Sequence, residues 1–126
     1  MSLLEFEMVG IKSAIESEDQ MQYEYVDDTS SQFVIQRVFA RPVTYIFHIP
    51  SNYPREIPTF QYIGEEARLV NSVNAFPDTD RTLTRLFLRV IFLDYLRYNI
   101  PFPDCFMAID PIFYLYLQNQ YESSTE

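Results

Sequence analysis

The stretch His48-Ile49-Pro50-Ser51-Asn52-Tyr53-Pro54-Arg55-Glu56-Ile57-Pro58-Thr59-Phe60-Gln61-Tyr62 governs how the rest of the chain is read. Pro54 and Pro58 each hold φ near about −65° and remove an amide donor, so the residues between them cannot belong to a sheet ladder. Tyr53, which precedes Pro54, is pushed toward extended geometry. The segment therefore reads as a rigid compound turn between two strands. Its Tyr53 ring is placed to pack back on the domain or to hydrogen-bond through the hydroxyl.

Outward from this turn the pattern is β. Val43 to Ile49 alternates, with Val43, Tyr45, Phe47 and Ile49 on one face and His48 on the other. Thr59 to Ile63 forms the strand after the turn and ends at Gly64. Upstream, Arg41-Pro42 breaks a strand from Phe33 to Phe39, and the polar run Asp27 to Ser31 separates it from a first strand in which Met21, Tyr23 and Tyr25 alternate with polar neighbours. Short links between consecutive strands predict an antiparallel meander. Before the strands, Ser2 and Glu5 form a capping box, and Leu4, Met8, Ile11 and Ile15 make one apolar stripe, which predicts a helix over Leu3 to Glu16. Gly10 inside it costs about 1 kcal/mol relative to Ala.

Downstream of Gly64, Glu65 to Leu69 reads as a helical turn, Ala75-Phe76-Pro77 as loop, and Asp80 as the N-cap of a long helix reaching Tyr98. Arg81, Arg85 and Arg89 share one stripe of that helix, and apolar residues cover most of the rest, so it is buried on most sides with the arginines snorkelling at a rim. Pro101 and Pro103 stop it, and Asp110-Pro111 opens a last helix with Asp as N-cap and Pro at the first helical position. The expected architecture is α+β: an N-terminal helix, a four-stranded antiparallel meander sheet, and C-terminal helices packed on one face. It forms a single domain over residues 1–121, with residues 122–126 a flexible tail.

Composition narrows the function. The chain of 126 residues carries a net charge of −9, which repels a phosphate backbone and argues against nucleic acid as a partner. One Cys and one His rule out a disulfide framework and an ordinary zinc site. Two glycines, Gly10 and Gly64, leave no phosphate-cradling loop, so no cofactor is expected. The long apolar helix includes four Arg and an Asp, which disfavours a membrane span, and no leader pattern opens the chain; a cytoplasmic or nuclear location is expected.

The turn and its setting resemble the ubiquitin-conjugating superfamily, most closely its non-catalytic RWD branch. Tyr53, Pro54 and Pro58 match the Tyr-Pro-x-x-x-Pro signature of that branch, and Tyr62 matches the aromatic or apolar residue that follows it. The order of helix, four strands and helices matches across most of the chain. In that family the signature stabilises the turn. The chain departs from the catalytic members: the stretch from Glu65 to Asp80, where they carry a nucleophilic Cys and commonly a His-Pro-Asn segment, has neither Cys nor His. The resemblance thus implies a catalytically inactive variant that binds other proteins. Such domains recruit regulators of translation-control kinases, support ubiquitin ligases, or build kinetochore and other assemblies.

No catalytic residue is expected. Cys105 is flanked by Asp104, which raises a thiol pKa, and reads as a small core residue; an atypical conjugating enzyme that uses it is the lesser alternative. His48 has no nucleophile or carboxylate at a catalytic spacing and reads as a solvated edge residue. Two surfaces are expected to meet protein partners. One is acidic: residues 1–30 carry eight carboxylates against Lys12 alone, and Glu16, Glu18 and Asp19 at the end of the first helix are its centre. The other is aromatic: on the last helix the spacing sends Ile112, Leu115 and Tyr116 inward and leaves Phe113, Tyr114 and Leu117 for a partner, with a dimer or an obligate structural subunit as the alternative.

Overall fold

The computed structural model describes residues 2–29, 31–64 and 82–124. The expected turn at Glu65 to Leu69, the loop at Ala75 to Pro77 and the cap at Asp80 lie outside them. The elements in chain order are α1 (Leu3–Ser17), β1 (Tyr23–Asp28), β2 (Gln32–Arg37), β3 (Val43–His48), β4 (Thr59–Ile63), α2 (Leu83–Arg97), a 3₁₀ helix (Asp104–Ile109) and α3 (Pro111–Ser124). The arrangement is the expected α+β: one helix, a four-stranded antiparallel sheet in the order β1-β2-β3-β4, then helices.

Helix α1 starts where the capping box places it, with Ser2 Oγ accepting from Glu5 N at 3.2 Å. Its stripe of Met8, Ile11, Ala14 and Ile15 is buried. Gly10 lies where α1 crosses the 3₁₀ helix: a Cβ there would stand 3.3 Å from Ile109 Cγ2, so the residue with the weakest local helix preference is the one that permits the close approach.

The sheet presents Tyr23, Phe33, Ile35, Arg37, Val43, Tyr45, Phe47 and Phe60 to the core, and His48 sits on the opposite face, exposed. Register brings like residues together: Phe33 opposes Phe47, Phe47 opposes Phe60, and Tyr45 opposes Tyr62. Cross-strand pairing of rings places their centroids 5.4 to 6.1 Å apart, within the range in which aromatic pairs attract. Tyr23 and Tyr25 keep the expected alternation, Tyr23 buried and Tyr25 exposed at the sheet edge, and a bulge follows between Tyr25 and Asp27.

Helix α2 covers the sheet, with Phe87 against Phe47 on one side and Phe106 of the 3₁₀ helix on the other. Its N-cap is Thr82, whose Oγ1 accepts from Arg85 N at 3.2 Å. Asn99, at φ 57°, turns the chain beyond Tyr98 in the left-handed conformation that commonly ends a helix. Helix α3 begins as its sequence predicts, with Asp110 Oδ1 accepting from Phe113 N at 3.1 Å and Pro111 in the first position. It runs to Ser124, beyond Glu122, where the tail was expected to begin. No helix among the described residues is long and apolar enough to cross a membrane.

Candidate functional site

The compound turn is anchored from beneath. Tyr53 N donates to Pro50 O at 3.0 Å, Arg55 N donates to Asn52 O at 2.9 Å, and the Tyr53–Pro54 peptide is cis. Pro58 is buried and Pro54 exposed, so the two prolines bracket the turn from opposite sides of the surface. The Tyr53 hydroxyl donates to Glu7 of α1 and accepts from Leu83 N of α2 at 2.8 Å. The other Glu7 oxygen accepts from Thr84 N at 2.8 Å and Thr84 Oγ1 at 2.7 Å. One buried carboxylate thus ties the turn, the first helix and the start of α2 together. Burial, and then the hydrogen bond to Glu7, raise the Tyr53 pKa, because both disfavour a phenolate there. Tyr62, the last member of the motif, packs edge-on against Tyr45 at 5.4 Å.

A second buried network joins the sheet to α2. Arg37 and Asp94 are both fully buried, with Nη1 to Oδ1 at 2.9 Å. Tyr23 donates to Asp94 Oδ2 at 2.7 Å, and Tyr45 donates to the same oxygen. The remaining Arg37 donors reach Phe39 O at 3.2 Å, Arg41 O at 3.3 Å and Tyr98 Oη at 3.2 Å. A buried ion pair is tolerated only when its leftover donors and lone pairs are satisfied, and here they are. Burial first, and the Asp94 carboxylate second, raise the pKa of Tyr23 and Tyr45. Neither Arg37 nor Glu7 was singled out from sequence. The signal was present in both cases: Arg37 shares strand parity with Phe33 and Ile35, and Glu7 stands on the α1 stripe three residues after Leu4 and four before Ile11. Asp94 likewise interrupts the apolar run of α2.

Of the acidic trio, Glu16 and Asp19 are exposed but Glu18 is 7 % exposed and points inward. Its carboxylate accepts from Gln20 N at 2.5 Å, Met21 N at 2.8 Å and Gln22 N at 3.1 Å, which closes the end of α1 and holds Gln22 at φ 57°. Glu18 is therefore a cap rather than a docking residue, because three amides at the helix exit need one acceptor. Beside it the buried Tyr95 hydroxyl lies outside hydrogen-bonding geometry, and burial and the Glu18 carboxylate raise its pKa.

The expected partner face of the last helix is inverted. Phe113, Tyr114 and Leu117 are buried, whereas Ile112 is 77 % exposed, Leu115 51 % and Tyr116 43 %. Tyr114 turns inward because its hydroxyl finds the Phe102 carbonyl at 2.8 Å while its ring stacks on Phe102 at 5.0 Å. Burial, then the Asp104 carboxylate, push its pKa up to about 12. Phe113 turns inward because Arg85 and Arg89 of α2 lie over its ring at 5.2 and 5.4 Å. Arg85 and Arg89, expected at a solvated rim, are thus part of the surface on which α3 packs, and Arg85 also pairs with Asp110 at 3.0 Å; Arg81, expected with them, lies outside the described residues.

Cys105 is half-buried at the edge of the core. Burial, and after it the Glu18 carboxylate, raise its pKa, so the thiol keeps its proton. His48 Nε2 meets Gln61 Oε1 at 3.1 Å on the exposed face of the sheet. A hollow of about 210 Å³ at the end of α2 is lined by Phe92, Tyr95, Leu96, Phe102 and Gln118 among others, rings and aliphatic carbon with one amide. Among the described residues no group of three or more His, Cys, Asp or Glu is placed to hold a metal ion.

Among the described residues, two helices carry rows of exposed apolar side chains, beside single ones on the strands and turns such as Val26, Ile57 and Ile63. On α1 Phe6 is 70 % and Val9 60 % exposed, with Leu3 beside them; on α3 the outward row is Ile112, Leu115 and Tyr116. Each row follows a spacing of three or four residues, so each is a continuous apolar strip on one helix face. Compared with known proteins, the chain matches no family model, no curated protein and no solved structure.

Proposed function

We propose that the chain is a non-catalytic protein-interaction module of the RWD type, serving as an adaptor in ubiquitin-related or translation-control assemblies. The observation that carries this reading is the outward display of Phe6 and Val9 on α1 and of Ile112 on α3, while the core beneath is already filled with buried rings. A large apolar side chain left in water beside other apolar side chains is the usual mark of a surface that another protein covers. The resemblance supports the family: the Tyr53, Pro54 and Pro58 turn joins β3 to β4, preceded by one helix and followed by others. The protonated Cys105 thiol supports binding rather than thioester chemistry.

The test is affinity capture of the tagged chain at native expression, with bound proteins identified by mass spectrometry, repeated with Phe6→Asp and Ile112→Asp. Both positions are exposed, so both variants are expected to fold. A partner retained by the parent chain and lost from one variant supports the module. A thioester to a ubiquitin-like protein that forms on the parent chain and not on Cys105→Ala would overturn it. The structural-subunit reading draws on the uncharged row on α3; a monomer by light scattering at high concentration would remove it.

A further inference from the structure

We propose that the outer face of α1 binds an amphipathic, basic helical segment of a partner protein. The inference rests on the module reading above and assigns its partner chemistry. Leu3, Phe6 and Val9 are all exposed and stand at intervals of three residues, so they form one strip along α1. The strip continues onto the sheet edge through Lys12, whose Nζ lies 4.7 Å from the centre of the exposed Tyr25 ring.

Charge decides the occupant. Glu5, Glu16 and Asp19 are exposed along α1 and at its exit, and Lys12 is the only basic residue in the first thirty; Glu24 and Asp27, paired with Gln36 and Val34, face the other side of the sheet. A second copy of the chain would bring one acidic rim against another, which like-charge repulsion disfavours. An anionic membrane is repelled for the same reason. A segment with apolar residues at i, i+3, i+4 and i+7 and Lys or Arg on its flanks answers both features: the apolar face covers Phe6 and Val9, and the cations meet the carboxylates. Two of the eight carboxylates in this region are excluded from the rim because they are buried for structure, Glu7 under the turn and Glu18 at the α1 exit.

The experiment titrates the full chain with two synthetic helical peptides that share one apolar face, one flanked by Lys and one by Glu, and follows backbone amide shifts by NMR. The Lys-flanked peptide is expected to bind at least about tenfold tighter, to weaken as salt rises, and to shift Phe6, Val9 and Ser13. Glu5→Lys with Glu16→Lys is expected to weaken it about tenfold, and Phe6→Ser to remove it. Equal binding of the two peptides, binding of neither, or shifts confined to α3 overturns the assignment. Loss of a captured native partner from Ile112→Asp but not from Phe6→Asp would also overturn it, while leaving the module reading in place.

Discussion

Glu7 shows how one side chain can organise a turn that its own helix never touches in sequence. It accepts hydrogen bonds from Tyr53 and from both the amide and hydroxyl of Thr84. Replacing it with Ala leaves three donors without their acceptor, and each buried group stripped of its partner costs about 1–3 kcal/mol. Glu7→Ala is therefore expected to lower stability by about 3 kcal/mol or more, measured by urea unfolding. Tyr53→Phe removes the hydroxyl from the same network and leaves Leu83 N without it, and about 1–3 kcal/mol is expected. A value near zero for both would show the turn to be held by its prolines alone. The motif residues were legible in the sequence because proline restricts its backbone wherever it stands. Glu7 was not, because only the folded chain puts a carboxylate under Tyr53.

At the scale of elements, α3 is the instructive case. Its residues from Ile112 to Leu117 are all apolar or aromatic, so periodicity offers two phases of nearly equal hydrophobicity. The neighbours decide between them: the Arg85 and Arg89 guanidinium groups over Phe113 and the Phe102 carbonyl at Tyr114 hold one phase. Leu117→Ala is expected to cost about 2–5 kcal/mol because it opens a cavity in the core, while Ile112→Ala should change stability by less than about 0.5 kcal/mol. Thermal unfolding of the two variants checks the phase directly, since the reverse order would require the opposite face to be buried. The caps, by contrast, were local and readable: Ser2 and Asp110 act where the sequence places them.

At the scale of the whole molecule, the tyrosines couple folding to alkaline pH. Tyr23, Tyr45 and Tyr95 are buried and their folded pKa values lie above the unfolded value. A phenol of this kind contributes stability that is whole below about pH 10 and is lost as pH rises toward the folded pKa, because only the unfolded chain then releases the proton. Each such tyrosine is expected to subtract about 1.4 kcal/mol per pH unit above pH 10. The buried phenolates should thus appear together with loss of secondary structure, followed as 295 nm absorbance against circular dichroism. Tyrosinate absorbance that saturates before the fold is lost would contradict the burial.

The sequence by itself determined what rests on short-range backbone physics. Proline geometry marked the turn at Tyr53 to Pro58, alternation and short links specified the meander, and capping chemistry located the starts of α1 and α3. Tertiary structure decided which side each apolar helix shows to solvent and which charges go inside. Arg37 pairs with Asp94 across 57 positions of chain, and Glu7 meets Thr84 across 77. Glu18, counted with its acidic neighbours as a surface residue, became a cap. Such choices depend on the desolvation of polar groups against partners distant in sequence, and a partner exists only once the layers have packed.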